Sequence, residues 1–273
     1  IGFVDTADTP LEKLSDYAIR YPQNEQLKFF MLADRLMQLA GDFPQYEQQY
    51  AEYDRYLPQA LVETEKAADD FGRTFAERHC NDAMHYFVGA GNQYGSTYSY
   101  AMCYWEEQHW LRSKSIHAAE FFHGTLEVVD KDTPVTLFMG EDAQRPLSER
   151  VKNFLPRVCG NYTIIDAADY PLTGISPAFR GDISHLVTHA VTQRIDAQNF
   201  DAAVCFIPEG SGYVGGNRRD IQLAGRNLAD HFVGSAGQGK GVRRIFVVGA
   251  VLHHFQHAKA GRSFQAGHVH GDI

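Results

Sequence analysis

Near the start of the chain, apolar residues recur at intervals of three and four. Between Glu25 and Ala40, Phe29, Leu32, Leu36 and Leu39 keep that spacing, which predicts an amphipathic helix closed by Gly41. A second stripe, Leu61, Thr64, Ala68, Phe71 and Phe75, follows Pro58, a residue suited to a first helical turn. It predicts another helix, with an acidic outer face. The texture then changes. "HYFVGAG" (His85 to Gly91), "PVTLFMGE" (Pro134 to Glu141) and "YTIIDAAD" (Tyr162 to Asp169) are short apolar runs rich in aromatic and β-branched residues, as expected of parallel strands buried on both faces. Helical patterns separate them, one from Thr97 to Ser113 and one from Arg145 to Val158, the latter begun by Pro146 and stopped near Gly160. This alternation predicts the α/β class: a parallel sheet flanked by helices on both faces, with ligands bound beyond the strand C-termini.

After about Gln198 the pattern breaks. Residues 199 to 273 hold 13 of the 24 glycines and 6 of the 13 histidines, with 8 basic against 5 acidic residues, so this tail carries +3 against −12 for the rest. One strand, Arg244 to Leu252, is expected among its Gly-rich loops. The whole chain has 273 residues and a formal charge of 25 − 34 = −9, with no stripe of Lys and Arg. That balance argues against nucleic acid as a partner. No apolar run reaches the roughly 18 to 20 residues of a membrane helix, which excludes a spanning helix. Cys80, Cys103, Cys159 and Cys205 are widely spaced, with no CxxC pair, and read as the reduced thiols of a cytoplasmic protein.

Several motifs carry chemistry. "VGAGNQYGST" (Val88 to Thr97) reads as a strand, a Gly-rich turn and a helix start, where free N–H groups favour an anionic or hydroxyl-rich ligand. Gly91 lets the backbone approach a ligand, and Ser96 and Thr97 are candidates to hydrogen-bond sugar hydroxyls. The dinucleotide fingerprint fails, because Tyr94 stands where it needs glycine, and an ordinary βα turn remains an alternative. "GSAGQGKG" (Gly234 to Gly241) approaches a P-loop but ends in Gly241 instead of Ser or Thr, and a strand follows where a helix is required. His253, His254, His257, His268 and His270 have no fixed acidic or Cys partner nearby, so the tail is read as a solvated segment and no metal is expected.

The densest chemistry lies in "YWEEQHWLRSKSIHAAEFFHGTLEVVDKDTPV", starting at Tyr104. Adjacent helical positions point about 100° apart, so one of Glu106 and Glu107 can turn inward while the other stays solvated. His123 follows Glu107 by sixteen residues, at a turn supplied by Gly124. A carboxylate beside a sugar can move a carbon-bound proton and an imidazole can shuttle a hydroxyl proton. The same residues also suit an ordinary solvated helix face.

"VGAGNQY", "EEQHW", "IHAAEFFHGTLEVVDKDTPV", "FMGEDAQRPLSERVKNFLPR" and "GISPAFRGDISHLVTHAV" together resemble the second half of double sugar isomerase (SIS) domain proteins, most closely the fructosamine-6-phosphate deglycases. These are similar to the isomerase domain of glucosamine-6-phosphate synthase. The resemblance covers about residues 1 to 198. It implies a SIS-type, flavodoxin-like three-layer sandwich over residues 81–198. Residues 1–41 would then be the C-terminal remnant of a first SIS domain, 42–80 a helical connector, and 199–273 an unassigned tail. "TADTPLEKLSDYAIRYP" resembles the end of that first domain, so the sequence is expected to begin inside a longer parent, with the family's phosphate-binding loop upstream of Ile1.

The family's catalytic glutamate and histidine map onto Glu107 and His123; a synthase-like spacing would choose Glu106 instead. The implied activity is cleavage of a 6-phosphorylated fructosamine to glucose 6-phosphate and free amine, without cofactor or metal. The implied assembly is a homodimer or higher oligomer whose sites draw on two subunits. Alternatives are an aldose–ketose isomerase, a glucosamine-6-phosphate-forming enzyme, or a non-catalytic sensor of sugar phosphates.

Overall fold

A computed structural model describes residues 1–20 and 25–201. The strand expected at Arg244 to Leu252, the Gly-rich "GSAGQGKG", Cys205 and the tail histidines lie outside the described residues. The chain divides into two compact units, Ile1–Ala51 and Glu52 onward.

In the first unit, β1 (Gly2–Val4) pairs in parallel with β2 (Ala18–Arg20), Gly2 opposite Ala18. The short α1 (Pro10–Leu14) joins them, with Thr9 as its N-cap and Pro10 in its first turn. α2 (Glu25–Ala40) matches the expected helix at both ends. Its buried face differs from the expected stripe, however. Leu27 and Met31 are buried, while Phe29, Leu36 and Leu39 are 59%, 60% and 70% exposed. The periodicity therefore located the helix but not its most buried face, although Phe29 still meets Phe3 of β1 edge to face at 5.6 Å.

The second unit begins within α3 (Tyr46–Ala67), which corrects the expected helix start at Pro58: the proline lies in the helix interior, twelve residues past Tyr46. A proline there removes one i→i−4 hydrogen bond. The helix persists because Tyr53, Leu57 and Ala60 are buried beside it, and the Tyr53 hydroxyl donates to the Phe179 carbonyl. After Ala68 comes α4 (Asp69–His79).

Four parallel strands follow in the order β4-β3-β5-β6: β3 (His85–Gly89), β4 (Ser113–His117), β5 (Val135–Met139) and β6 (Tyr162–Asp166). Phe87 lies opposite Ser115 and Thr136, and Leu137 opposite Ile164. Alternate strand residues feed two cores. Val88, Ile116, Val135, Leu137 and Met139 pack with Val151 and Leu155 of the α6 segment (Arg145–Phe154 and the 3₁₀ turn after it). Phe87, Phe138 and Ile165 pack on the other face with Phe75, Tyr100, Trp105, Val191 and Ile195. The last two belong to α7 (Pro177–Asp201), a helix packed on α4 and on α5 (Asn92–Ser99). The sheet is thus covered on both faces, as parallel sheets are.

Two expectations need correction. The helix placed at Thr97 to Ser113 starts at Asn92, directly after Gly91, and continues as a π-helix over Tyr100–Glu106. Ser113, the expected end of that helix, is instead the first residue of β4. "SKSIH" is polar at four of five positions, and as the edge of the described sheet only Ile116 of it is buried.

Candidate active site

The C-terminal ends of β3, β5 and β6 meet at a rim rich in carboxylates. Gly91 caps α5 at φ +57° and ψ −134°, and a Cβ there would lie 2.3 Å from Asp142 Oδ1. Glycine is required at this turn both by backbone conformation and by space. Asp142 sits at the α5 N-terminus: Asn92 N–H donates to its Oδ2 at 3.0 Å, and Gln144 N–H to its Oδ1 at 2.7 Å. Gln93 N–H is taken by the Ala90 carbonyl and Tyr94 N–H by that of Gly91. The N–H groups expected to be free for an anion are therefore engaged within the chain, and a carboxylate already holds the position that favours negative charge. Ser96 is half-buried in the second turn of α5. Thr97 is fully buried, its hydroxyl donating to the Gln93 carbonyl at 2.7 Å.

Two ion pairs brace the rim. Arg145 grips Asp166 at both carboxylate oxygens, at 2.8 and 2.6 Å, and also donates to the Gly140 carbonyl. Burial pushes the Asp166 carboxyl up, but the Arg145 hydrogen bonds outweigh it and leave the group below its usual range. Arg180 Nε meets both oxygens of Glu141 at 2.9 Å.

The π-helical segment carries the glutamates. Glu107 N–H bonds to the Met102 carbonyl, the i→i−5 bond of a π-turn, and Trp110 just beyond adopts φ +57°. π-turns and left-handed non-glycine residues concentrate at functional sites. The two carboxylates behave differently. Glu106 accepts from Ser113 N–H at 3.3 Å and Ser113 Oγ at 3.2 Å, tying the segment to the start of β4. Glu107 is exposed, and its side chain makes no hydrogen bond or ion pair among the described residues.

A buried triad anchors this segment: Asp196 Oδ1 of α7 accepts from Tyr100 Oη at 3.0 Å and faces His109 Nε2 at 2.9 Å. Burial first, and then Asp196, hold the Tyr100 phenol well above its ordinary range. None of these three was singled out in the sequence as a network, because its members lie up to 96 residues apart.

His123 lies on a 3₁₀ turn, Phe121–His123, and is exposed. It lines an open groove of about 450 Å³ together with Lys114, Ser115 and Ile116 of β4 and Glu120, Gly124 and Thr125. Glu107 is not among the lining residues, so the groove of a single chain holds one member of the expected pair. Neither the His123 imidazole nor the Lys114 ammonium has a hydrogen-bond or ion-pair partner among the described residues. His117 accepts from Ala119 N–H at 3.2 Å and stacks edge-on with Tyr94.

A parallel sheet with helices on both faces matches the architecture of solved phosphosugar isomerase structures. A Bacillus subtilis structure described as a phosphosugar isomerase superposes with a TM-score of 0.66 at 25% identity, over 73% of this chain and 63% of that one. One from Salmonella typhimurium LT2 gives 0.67 at 24%, over 74% and 65%. Among characterised sequences, the chain is similar to the fructosamine deglycase FrlB of Bacillus subtilis, 29% identical over 193 residues, 67% of this chain and 58% of that protein. It is also similar to the fructoselysine 6-phosphate deglycase of Escherichia coli K12, 27% identical over 175 residues, 62% and 51%. The chain thus spans somewhat over half the length of the curated relatives it matches. No protein-family model matches it.

Proposed function

We propose that this chain is the second SIS domain of a deglycase that cleaves a 6-phosphorylated fructosamine to glucose 6-phosphate and free amine, with residues 1–41 the end of a first SIS domain. The observation that carries this reading is the contrast between the adjacent glutamates. Glu106 is bound into the fold by Ser113, whereas Glu107, at the end of the π-helical segment, is unbonded and accessible. A general base must reach its substrate and must gain and lose a proton without breaking the structure that holds it. Glu107 meets both conditions, and its similarity to named deglycases supports the choice of reaction.

His123 moves the ring hydroxyl proton and opens the sugar. Glu107 then takes the C1 proton to give an enolamine and returns a proton at C2. The resulting C1 imine is hydrolysed by water, which leaves the sugar aldehyde and the amine. Asp142 at the Gly91 turn suits hydroxyl groups better than phosphate, which assigns this rim to the sugar and the anionic end to other residues. Because the His123 groove lacks Glu107, the site is completed by a second copy in a homodimer or larger assembly, in the cytoplasm where sugar phosphates occur.

The test uses the full-length protein, a fructosamine 6-phosphate and an assay for glucose 6-phosphate. Glu107→Gln lowers kcat by about 10² to 10⁴, the usual worth of a positioned base. Glu106→Gln keeps kcat near wild type and lowers thermal stability slightly. If Glu107→Gln turns over normally, or if Glu106→Gln is the inactive one, the assignment fails.

A further inference from the structure

A second cluster lies at the opposite end of the sheet, at the N-terminal ends of β3 and β5. His79, the last residue of α4, and His85, the first of β3, both aim Nδ1 at one oxygen of Asp82, at 2.7 and 2.9 Å from Oδ2. Both imidazoles are fully buried, while the Asp82 side chain is 13% exposed. The three donor atoms lie within 4.8 Å of one another. His85 Nε2 is held by the Thr136 hydroxyl of β5 at 2.8 Å, and Phe75, Phe87 and Trp105 wall the site with ring centroids 4.5 to 5.9 Å from that of His85. The spacing in the sequence is H-x₂-D-x₂-H.

We propose that His79, Asp82 and His85 form a site for an imidazole-preferring divalent transition ion, of which Zn²⁺ is the representative, that clasps the end of α4 to the first residue of β3. Tetrahedral ligands about 2.0 to 2.1 Å from Zn²⁺ stand about 3.3 Å apart. The two His–Asp82 distances, 2.7 and 2.9 Å, open slightly and the three donor atoms, now within 4.8 Å of one another, draw together to reach that geometry through rotation of the side chains. Two nitrogens and one carboxylate oxygen suit Zn²⁺, whereas Ca²⁺ and Mg²⁺ call for shells of oxygen. A metal-bound histidine donates its remote N–H to a partner that fixes the ring, and the Thr136 hydroxyl, 2.8 Å from His85 Nε2, is placed to rotate and accept it. The exposed edge of Asp82 gives the ion a way in and leaves the fourth position to water.

Each neutral imidazole binds the ion through Nδ1 with its single proton on Nε2, so binding shifts the tautomer and releases no proton from the rings. The site is separate from the rim assigned to the sugar.

The experiment takes the full chain, stripped with a chelator, and titrates Zn²⁺ against a chromophoric competitor. The expected result is one tight equivalent that Mg²⁺ and Ca²⁺ do not displace. Replacing the six histidines of residues 199–273 with Gln leaves that equivalent in place, Thr136→Val weakens it by about 10- to 100-fold, and Asp82→Asn abolishes it. Co²⁺ in the tail-substituted chain shows tetrahedral d–d bands and quenches the fluorescence of Trp105, a reading that does not depend on any clasp variant folding. The proposal is overturned if no tight equivalent binds, if binding disappears with the tail histidines, if Asp82→Asn folds and still binds, or if Co²⁺ gives neither the bands nor the quenching.

Discussion

Arg145 and Asp166 offer the sharpest test of how the rim is held. Asp166 is nearly buried, with 5% of its side chain exposed, and Arg145 is 25% exposed; two parallel hydrogen bonds of 2.8 and 2.6 Å join them. Removing one partner of a fully buried ion pair costs about 3 to 5 kcal/mol, chiefly through the charge left behind. Arg145 keeps its bonds to the Gly140 carbonyl and Glu149 and can turn to water, so Asp166→Asn should cost about 2 kcal/mol. Asp166→Ala should cost about 1 kcal/mol more, because Asp166 Oδ1 also caps the next turn by accepting from Ala168 N–H at 3.0 Å. Urea unfolding followed by far-UV circular dichroism measures both. Arg145→Met closes a double-mutant cycle that isolates the pair. The sign with pH follows from the lowered carboxyl. The contribution of the pair is present above about pH 4, the unfolded value, and is lost as the pH falls through the lower folded value. A loss below about 0.5 kcal/mol in Asp166→Ala, or a wild-type acid transition unchanged in Asp166→Asn, would refute the reasoning.

Two further outcomes follow from the same structure. Gly91→Ala is expected to destabilise by more than about 2 kcal/mol, since it combines φ +57° with a Cβ driven into Asp142; a urea midpoint equal to wild type rules out the tight turn. His185 on α7 is 4% exposed, and burial, with a smaller contribution from His189, lowers its pKa from 6.5 to about 4. Between these values the unfolded chain binds the proton more readily. Stability is therefore full above about pH 6.5 and declines toward pH 4 by about 3 kcal/mol. His185→Gln should flatten that slope, and an unaltered pH profile in this variant would place the titration elsewhere.

What the sequence made legible follows from range. β3 and β5 were visible because each is buried on both faces, and a doubly buried strand must be apolar at nearly every position, while β6, an edge of the described sheet, was visible through Tyr162, Ile164 and Ile165. β4 escaped because an edge strand needs apolar residues on one side only, and "SKSIH" has one, Ile116. Pro58 misplaced a helix start because local propensity is worth less than the burial of Tyr53 and Leu57. Glu107 and His123 were marked through the resemblance, but the feature that separates Glu107 from Glu106 is a hydrogen bond to Ser113, which no periodicity records. The Asp142 carboxylate at the Gly91 turn was equally hidden: the two residues are 51 positions apart and meet only once β5 lies beside β3.

These carboxylates also suggest a rule for choosing a base on a crowded rim. Glu141, Asp142 and Asp166 lie nearest the strand ends, where position alone would nominate them. Each is spent: Glu141 on Arg180, Asp142 on two backbone N–H groups, Asp166 on Arg145 and a cap. Protonating any of them forfeits a hydrogen-bonded contact, so the free energy that fixes the rim opposes the proton cycle a base must run. A carboxylate outside that bracing carries no such penalty. Glu107 satisfies this because its neighbour takes the structural bond to β4, and because the Tyr100–Asp196–His109 triad fixes the segment without using it. Glu107 lies by the start of β4, at the other end of the sheet from that rim, so freedom from structural duty, and not nearness to the strand C-termini, is what marks it.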